Sequence, residues 1–321
     1  MSIAAAGCGS SSSSPSSSSS QPSGTANVAY ASSLDYLNSK VAGLAFTKAT
    51  GYKYSGTSGA AGQLSSEILA KVISPNVFQS VGGDNITPLE PKFTKWYISY
   101  AGNKMVVAYN PKSKWAPEFE AIASGKKPLQ DLFTLLQTPG LKLGRTDPNI
   151  DPQGRYFIEM LELAQMYYHL PADTVTKIVG SPIASSTSPQ IYAESALDST
   201  LQSGQLDAAS AYYTQAVELH LHYIPLPAAI NLGDAALADQ YAKATITTTS
   251  GGTKKVHMGA PLVLCITIIG QPTSAATAFV KYTLSPTGVA QYKQGGFTVL
   301  TPTLYGPKSA VPAAIASELG G

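Results

Sequence analysis

Short apolar segments alternate with helical patterns along the first part of this chain, and no other feature constrains its fold as strongly. We expect strands at residues 27–30, 53–54 and 77–78, with a helix after each of the first two. A βαβαβ order of this kind builds a parallel sheet with helices packed on its faces. We interpret residues 55–62, most of which are small, as a loop. The opening segment therefore predicts an α/β lobe.

The same alternation continues through the rest of the chain. Residues 96–99 and 105–109 are interpreted as paired strands joined through Gly102 and Asn103, and helices and short strands then alternate again. The expected helices include residues 194–202, 274–284 and 286–294. We expect an α/β protein of two lobes, each with a mixed sheet covered by helices on both faces. A cleft between such lobes is the expected ligand site.

The expected domain division follows from this pattern. Residues 1–26 form a flexible tether, residues 27–109 plus 266–321 form the first lobe, and residues 110–265 form the second lobe. The chain then passes between the lobes more than once.

The chain carries few charges for its size. Of its 321 residues only 12% are charged, which is about half the share of ~25% found in ordinary soluble domains. The formal net charge is +2, so nucleic acid is not an expected partner. No apolar run reaches the ~18 residues that a membrane-spanning helix needs. The composition suits a secreted protein, which we expect to be a monomer.

The two cysteines occur in different settings. Cys265 lies in an apolar run that we interpret as a buried strand. Cys8 follows small residues and precedes a Ser-rich tract, an arrangement that resembles a lipoprotein processing site. We therefore expect an extracytoplasmic protein anchored through lipid on Cys8. Only seven residues precede Cys8, and they lack the basic and apolar stretches of a signal peptide, so the alternative is a polar tail that contains a cysteine.

The most specific motif is the run Gly-Arg-Thr-Asp-Pro-Asn-Ile-Asp-Pro-Gln-Gly-Arg-Tyr at residues 144–156. It places Asp151 at the start of a predicted amphipathic helix, with Pro152 in the first helical position, where no amide proton is needed. We interpret Arg145 as part of an ion pair at the surface or hinge. A helix N-terminus attracts anions, but a carboxylate there repels a free oxyanion. Asp151 is therefore either only a helix cap or a ligand for an electrophilic metal centre.

Several short motifs occur in one order from about residue 30 to the end of the chain. They are Ala31-Ser32-Ser33-Leu34, Ser58-Gly59, the run at residues 144–156, Glu194 ahead of Leu201…Gly204…Asp207, Tyr212-x-Thr214, Ile224-x-Leu226-Pro227 and Gly295-Gly296-Phe297. Together they resemble the molybdate- and tungstate-binding solute-binding proteins of ABC importers, particularly the archaeal-type binders. The resemblance implies a bilobal periplasmic-binding-protein fold of the second type. It also implies a protein without enzymatic activity or cofactor that captures tungstate or molybdate and delivers the anion to a permease in the membrane.

The resemblance further implies a set of ligand-binding residues. Carried over position by position, it assigns the oxygens of the anion to Ser33, Ser58 and Tyr212, and the metal centre to Asp151 and Glu194. Hard oxygen ligands suit a high-valent metal. Phosphate and sulfate cannot expand their coordination shell, so two carboxylates would simply repel them.

The chain departs from the family pattern at several of these positions. Ser32 stands where the family often has Gly, and Gln153 stands where Cys is usual. The second loop reads Ser58-Gly59 in place of the usual Gly-Ser, so Thr57 is the alternative donor in that loop.

Other readings of these residues stay open. Glu194 could be a solvated helix residue and Tyr212 an ordinary core aromatic. The same fold could bind sulfate, phosphate or a small organic acid instead. A secreted lipoprotein could also have kept the fold for another role, because fold does not fix function.

Overall fold

The computed structural model describes residue 1, residues 22–250 and residues 252–319, so the expectations for Cys8 and most of the tether lie outside the described residues. The strands are β1 (Thr25–Ala31), β2 (Lys53–Gly59), β3 (Val77–Val81), β4 (Tyr97–Gly102), β5 (Met105–Tyr109), β6 (Leu143–Gly144), β7 (Ala208–Tyr212), β8 (His222–Ile224), β9 (Thr245–Ser250), β10 (Thr253–Met258), β11 (Val263–Ile268) and β12 (Thr298–Tyr305). The α-helices are α1 (Gly43–Thr50), α2 (Ala61–Leu69), α3 (Ala116–Ala123), α4 (Asp131–Leu135), α5 (Pro152–Tyr167), α6 (Thr174–Val179), α7 (Glu194–Gln202), α8 (Tyr213–Glu218), α9 (Ala228–Asn231), α10 (Ala238–Tyr241), α11 (Ser274–Leu284), α12 (Pro286–Gln294) and α13 (Ala313–Ala316). Within the described ranges, no helix is both long and apolar enough to cross a bilayer.

The first lobe is built on a six-stranded sheet with the order β12-β4-β11-β3-β1-β2. β1 lies between β2 and β3 and runs parallel to both, as the βαβαβ pattern predicts. β11 runs antiparallel to β3 and to β4, and β12 runs antiparallel to β4. The predicted mixed sheet is thus confirmed, and Cys265 is buried in β11 as expected.

The second lobe is built on a four-stranded sheet with the order β6-β7-β5-β8. Alternate residues of a strand point to opposite faces of its sheet. Val106 and Ala108 of β5 therefore share one face with Leu197 and Leu201 of α7, in a small apolar cluster. Val107 of β5 points to the other face and belongs to the larger core that includes α5. Helices thus cover both faces of this sheet, as predicted.

Two of the predicted local arrangements are wrong. β4 and β5 do not pair: β4 lies between β11 and β12 in the first sheet, and β5 lies between β7 and β8 in the second. The segment at Gly102 and Asn103 is a crossing between the lobes, where the Asn103 amide donates to the Leu262 carbonyl over 3.0 Å. The expected loop at 55–62 is a strand as far as Gly59, because its backbone pairs along the edge of β1.

The sheet to which each strand belongs indicates where the boundary between the two lobes lies. Met105–Tyr109 belongs to the second sheet, and the whole of Val263–Ile268 belongs to the first. We therefore propose lobe boundaries at the two crossings, near residues 103 and 260, in place of the expected boundaries at residues 109 and 265.

Candidate functional site

Asp151 lies where the longest helix of the second lobe begins. It is the N-cap of α5, and its carboxylate accepts a hydrogen bond of 2.9 Å from the Gln153 amide. A Cβ atom added at Gly154 would lie 2.3 Å from the Thr146 carbonyl oxygen. Only glycine allows the loop at Thr146 to pack this closely on the first turn of the helix. The motif at residues 144–156 therefore fixes Asp151 through local geometry.

The α5 helix is buried on more sides than its sequence predicts. Arg155 and Glu159 are buried along with the apolar residues. The reason is that α5 packs against α6, α9 and β9 as well as the second sheet, and Arg155 forms an ion pair of 2.5 Å with Asp84 of the first lobe. The amphipathic pattern correctly predicted the helix, but it did not show that a second surface would cover the polar face.

Glu194 is buried at the start of α7, with only 7% of its surface exposed. Its Oε1 accepts a hydrogen bond of 2.5 Å from the Gln215 side chain, and its Oε2 accepts one of 2.5 Å from the Ser32 hydroxyl. The alternative that Glu194 is a solvated helix residue is therefore wrong.

A chain of buried amides supports Glu194 within the second lobe. The Ser210 hydroxyl donates to Gln153 Oε1 over 2.9 Å, and Gln153 Nε2 donates to Gln215 Oε1 over 2.9 Å. Gln215 Oε1 also accepts the Tyr212 amide over 3.2 Å. In the sequence Gln153 stands out only as a departure from the family pattern, and the one local signal of Gln215 is its position three residues after Tyr212.

The first lobe contributes Ser33 and Ser58 to the opposite wall of the cleft. Ser33 follows β1 and is buried, whereas Ser58 is exposed on β2 opposite Tyr30. A cavity of about 290 Å³ is lined by Ser33, Ser58 and Glu194. A second cavity, of about 600 Å³, is lined by Ser58, Asp151 and Glu194. Four of the five predicted residues thus line adjoining parts of one cleft.

Tyr212, the fifth predicted residue, is not among the residues that line these two cavities. It ends β7, and its ring is buried. Its hydroxyl has no hydrogen-bond partner among the described residues, and the same holds for the hydroxyls of Ser33 and Thr146. A buried polar group without a partner is costly, so these three hydroxyls form an unsatisfied donor set beside the two carboxylates. Sequence analysis did not select Thr146.

The electrostatics of the site are dominated by the buried carboxylates of Asp151 and Glu194. Burial raises the pKa of Asp151 to about 7. Burial, together with the charge of Asp151, raises the pKa of Glu194 well above its usual value. Burial and then the charges of Glu194 and Asp151 likewise raise the pKa of Tyr212. Glu194 and Tyr212 therefore both lie within the electrostatic influence of Asp151.

The position of Arg145 differs from the one that the sequence predicted. Arg145 is fully buried and donates to the Gln190 side chain and to the carbonyl oxygens of Val179 and Ile183. The prediction of a surface or hinge ion pair for Arg145 is therefore wrong, and burial lowers its pKa to about 10. Of the described residues that line the 600 Å³ cavity, none is basic and four are acidic, including Asp35.

Solved structures resemble this architecture. The periplasmic molybdate-binding protein of Azotobacter vinelandii matches with a TM-score of 0.54 at 20% identity, covering 85% of this chain and 99% of that one. The sulfate-binding protein SubI of Mycobacterium tuberculosis matches with a TM-score of 0.56 at 13% identity, covering 92% and 96%. At these identities the likeness shows the fold alone, and it confirms the bilobal fold of periplasmic binding proteins.

Sequence comparison is more specific. The molybdate/tungstate-binding protein WtpA of Pyrococcus abyssi is 31% identical over 231 residues, which cover 66% of this chain and 64% of that protein. The matched region thus spans less than two thirds of that relative's length. A family model described as bacterial extracellular solute-binding protein matches residues 26–298. The chain therefore belongs to the bacterial extracellular solute-binding proteins.

Proposed function

We propose that this protein captures tungstate or molybdate between its two lobes. The observation that carries the proposal is the pair of buried carboxylates, Asp151 and Glu194, at the wall of one cleft. The buried hydroxyls of Ser33, Thr146 and Tyr212 have no hydrogen-bond partners among the described residues. Such a site needs an occupant that offers an electrophilic centre to the carboxylates and oxygen acceptors to the hydroxyls. A metal oxyanion has both.

The role of each side chain in binding the anion follows from its chemistry. Asp151 and Glu194 ligate the metal centre, and their ionised forms are then stabilised by its positive charge. Ser33, Ser58 and Tyr212 donate to the oxygens of the anion. Sulfate and phosphate offer no coordination position for a carboxylate, so the site rejects them by charge repulsion.

The family and its relatives support a role in transport. The protein would deliver the anion to a membrane permease of an ABC importer, as a monomer without catalytic activity and without nucleic acid. We further propose that it is held outside the cytoplasm through lipid on Cys8. The description of the family as extracellular supports the place outside the cytoplasm, whereas the lipid anchor rests on the sequence around Cys8.

Isothermal titration with tungstate, molybdate, sulfate and phosphate tests the proposal. We expect tight one-to-one heat with the first two anions, and none with the last two. Asp151→Ala should abolish tight binding, because the metal loses one of its two carboxylates. Asp234→Ala is the matched control, since Asp234 is also an aspartate cap that accepts a backbone amide, over 2.9 Å, but it lies outside the cleft.

Two outcomes of this titration would overturn the proposal. Sulfate or phosphate that binds as tightly as tungstate would favour the same fold with a simpler anion. No heat of binding with any of the four anions would favour a member of the family that binds another ligand or has another role.

A further inference from the structure

One hydrogen bond connects the two lobes inside the proposed ligand cleft. Ser32 lies directly after β1 in the first lobe, and its hydroxyl contacts Glu194 Oε2 of the second lobe at 2.5 Å. The two residues are 162 positions apart in the chain. Because Glu194 Oε1 is already held within its own lobe by Gln215, Oε2 is the oxygen that remains for a partner in the cleft.

The Ser32–Glu194 pair stands between the two cavities. Both residues line the 290 Å³ cavity, which contains Ser33, and both also line the 600 Å³ cavity, which contains Asp151. Neither Ser33 nor Asp151 lines both cavities. An anion that contacts Ser33 and Asp151 together therefore reaches the lining that both cavities share, which includes Ser32 and Glu194.

We infer that Ser32 is a gate residue, whose hydroxyl competes with the metal for Glu194 Oε2 and must release this oxygen before the metal can bind. The inference rests on the proposed function, because Glu194 is the residue that both Ser32 and the metal require. It gives Ser32 a role in setting affinity that differs from the donor role of Ser33.

Linkage decides whether loss of the Ser32 hydroxyl raises or lowers the affinity for tungstate. A hydrogen bond stabilises whichever form of the protein makes it. If this bond exists only without ligand, it stabilises only the form that does not bind, and it lowers the apparent affinity. A residue without a hydroxyl at this position would remove that penalty. If Ser32 instead donated to the bound anion, its removal would weaken binding.

Ser32→Ala tests the gate by titration and stopped-flow binding of tungstate, with X-ray scattering of the protein without ligand. We expect affinity for tungstate to increase by about three- to tenfold, mainly through faster association. We also expect a larger radius of gyration without ligand than in the wild type, because the lobes lose a contact. Ser32→Thr keeps the hydroxyl and should behave like the wild type.

Ser199→Ala is the matched control. Ser199 lines the same 290 Å³ cavity, but its hydroxyl donates to Ala196 within its own helix. Weaker or unchanged affinity of Ser32→Ala would overturn the gate. If the wild type does not bind tungstate at all, the proposed function fails, and the scattering measurement still tests the gate. An unchanged radius of gyration in Ser32→Ala would then overturn it.

Discussion

At the scale of single residues, some side chains of the candidate site are positioned by their neighbours in the sequence, and others by contacts between distant segments. Asp151 is positioned by its own motif, because the proline after it and the glycine of the first turn fix the cap. Sequence analysis could therefore predict its place. The contacts of Glu194 with Ser32 and Gln215 depend on how two lobes and two helices pack. No spacing along the chain encodes these contacts, so they emerge only from the structure.

Gln215 is predicted to hold Glu194 in the orientation that a metal requires. Its amide donates to Glu194 Oε1 and its carbonyl oxygen accepts from Gln153. Gln215→Leu keeps a similar size but removes both bonds and the one that Gln215 accepts from the Tyr212 amide. It should weaken tungstate affinity by about tenfold or more. Gln205→Leu is the control, because Gln205 is exposed away from the cleft. Tungstate affinities of Gln215→Leu and wild type that agree within error would remove Gln215 from the supporting set.

At the scale of elements, helices were predicted more accurately than sheet pairing. The bounds of α7, α11 and α12 match the sequence prediction, because caps such as Ser285 and prolines such as Pro286 act locally. The partner of a strand is a distant segment, so the pattern of β4 and β5 predicted two strands but not their separate sheets. The burial of α5 on its polar side has the same explanation.

The burial of Glu159 on α5 predicts a pH-dependent stability. Both of its carboxylate oxygens lack hydrogen-bond partners among the described residues, and burial raises its pKa to about 8. The unfolded chain releases this proton near pH 4.5, whereas the folded protein keeps it until about pH 8. The contribution of Glu159 to the free energy of unfolding therefore falls between these two pH values, by up to a few kcal/mol. Above and below this window its contribution stays constant.

Denaturant unfolding of Glu159→Gln across pH 4 to 9 checks this assignment. The variant should match the wild type near pH 4 and exceed its stability near pH 9, because the glutamine never ionises. Glu120→Gln, at an exposed glutamate of α3, should follow the wild type at every pH. Parallel pH profiles for Glu159→Gln and wild type would contradict the role given to Glu159.

At the scale of the whole molecule, the lobes meet at separate points around the cleft. Ser32 contacts Glu194 in the proposed ligand cleft, and Arg155 of the second lobe pairs with Asp84 of the first. Gly62 of the first lobe lies against Ile150 of the second. Closure thus depends on residues that have no part in binding the anion.

Gly62 is predicted to allow this closure. A Cβ atom added there would lie 2.7 Å from the Ile150 carbonyl oxygen, next to Asp151. Because Gly62 is helical, Gly62→Ala should keep or slightly raise stability against denaturant. It should nevertheless weaken tungstate affinity about tenfold and leave a larger radius of gyration with ligand. Ser66→Ala, on the same helix and exposed, is the control. Full closure of Gly62→Ala with wild-type affinity would exclude this role.

The central claim is that two protein carboxylates reach the metal of a bound oxyanion. X-ray absorption at the tungsten edge of the purified complex measures this most directly, because it reports the number and distance of the oxygen neighbours. We predict more oxygen neighbours than in free tetrahedral tungstate, with the added ones lost in Asp151→Ala. A spectrum that stays tetrahedral in a tightly bound wild-type complex would contradict the account, because the carboxylates would then lie beside the anion without ligating its metal.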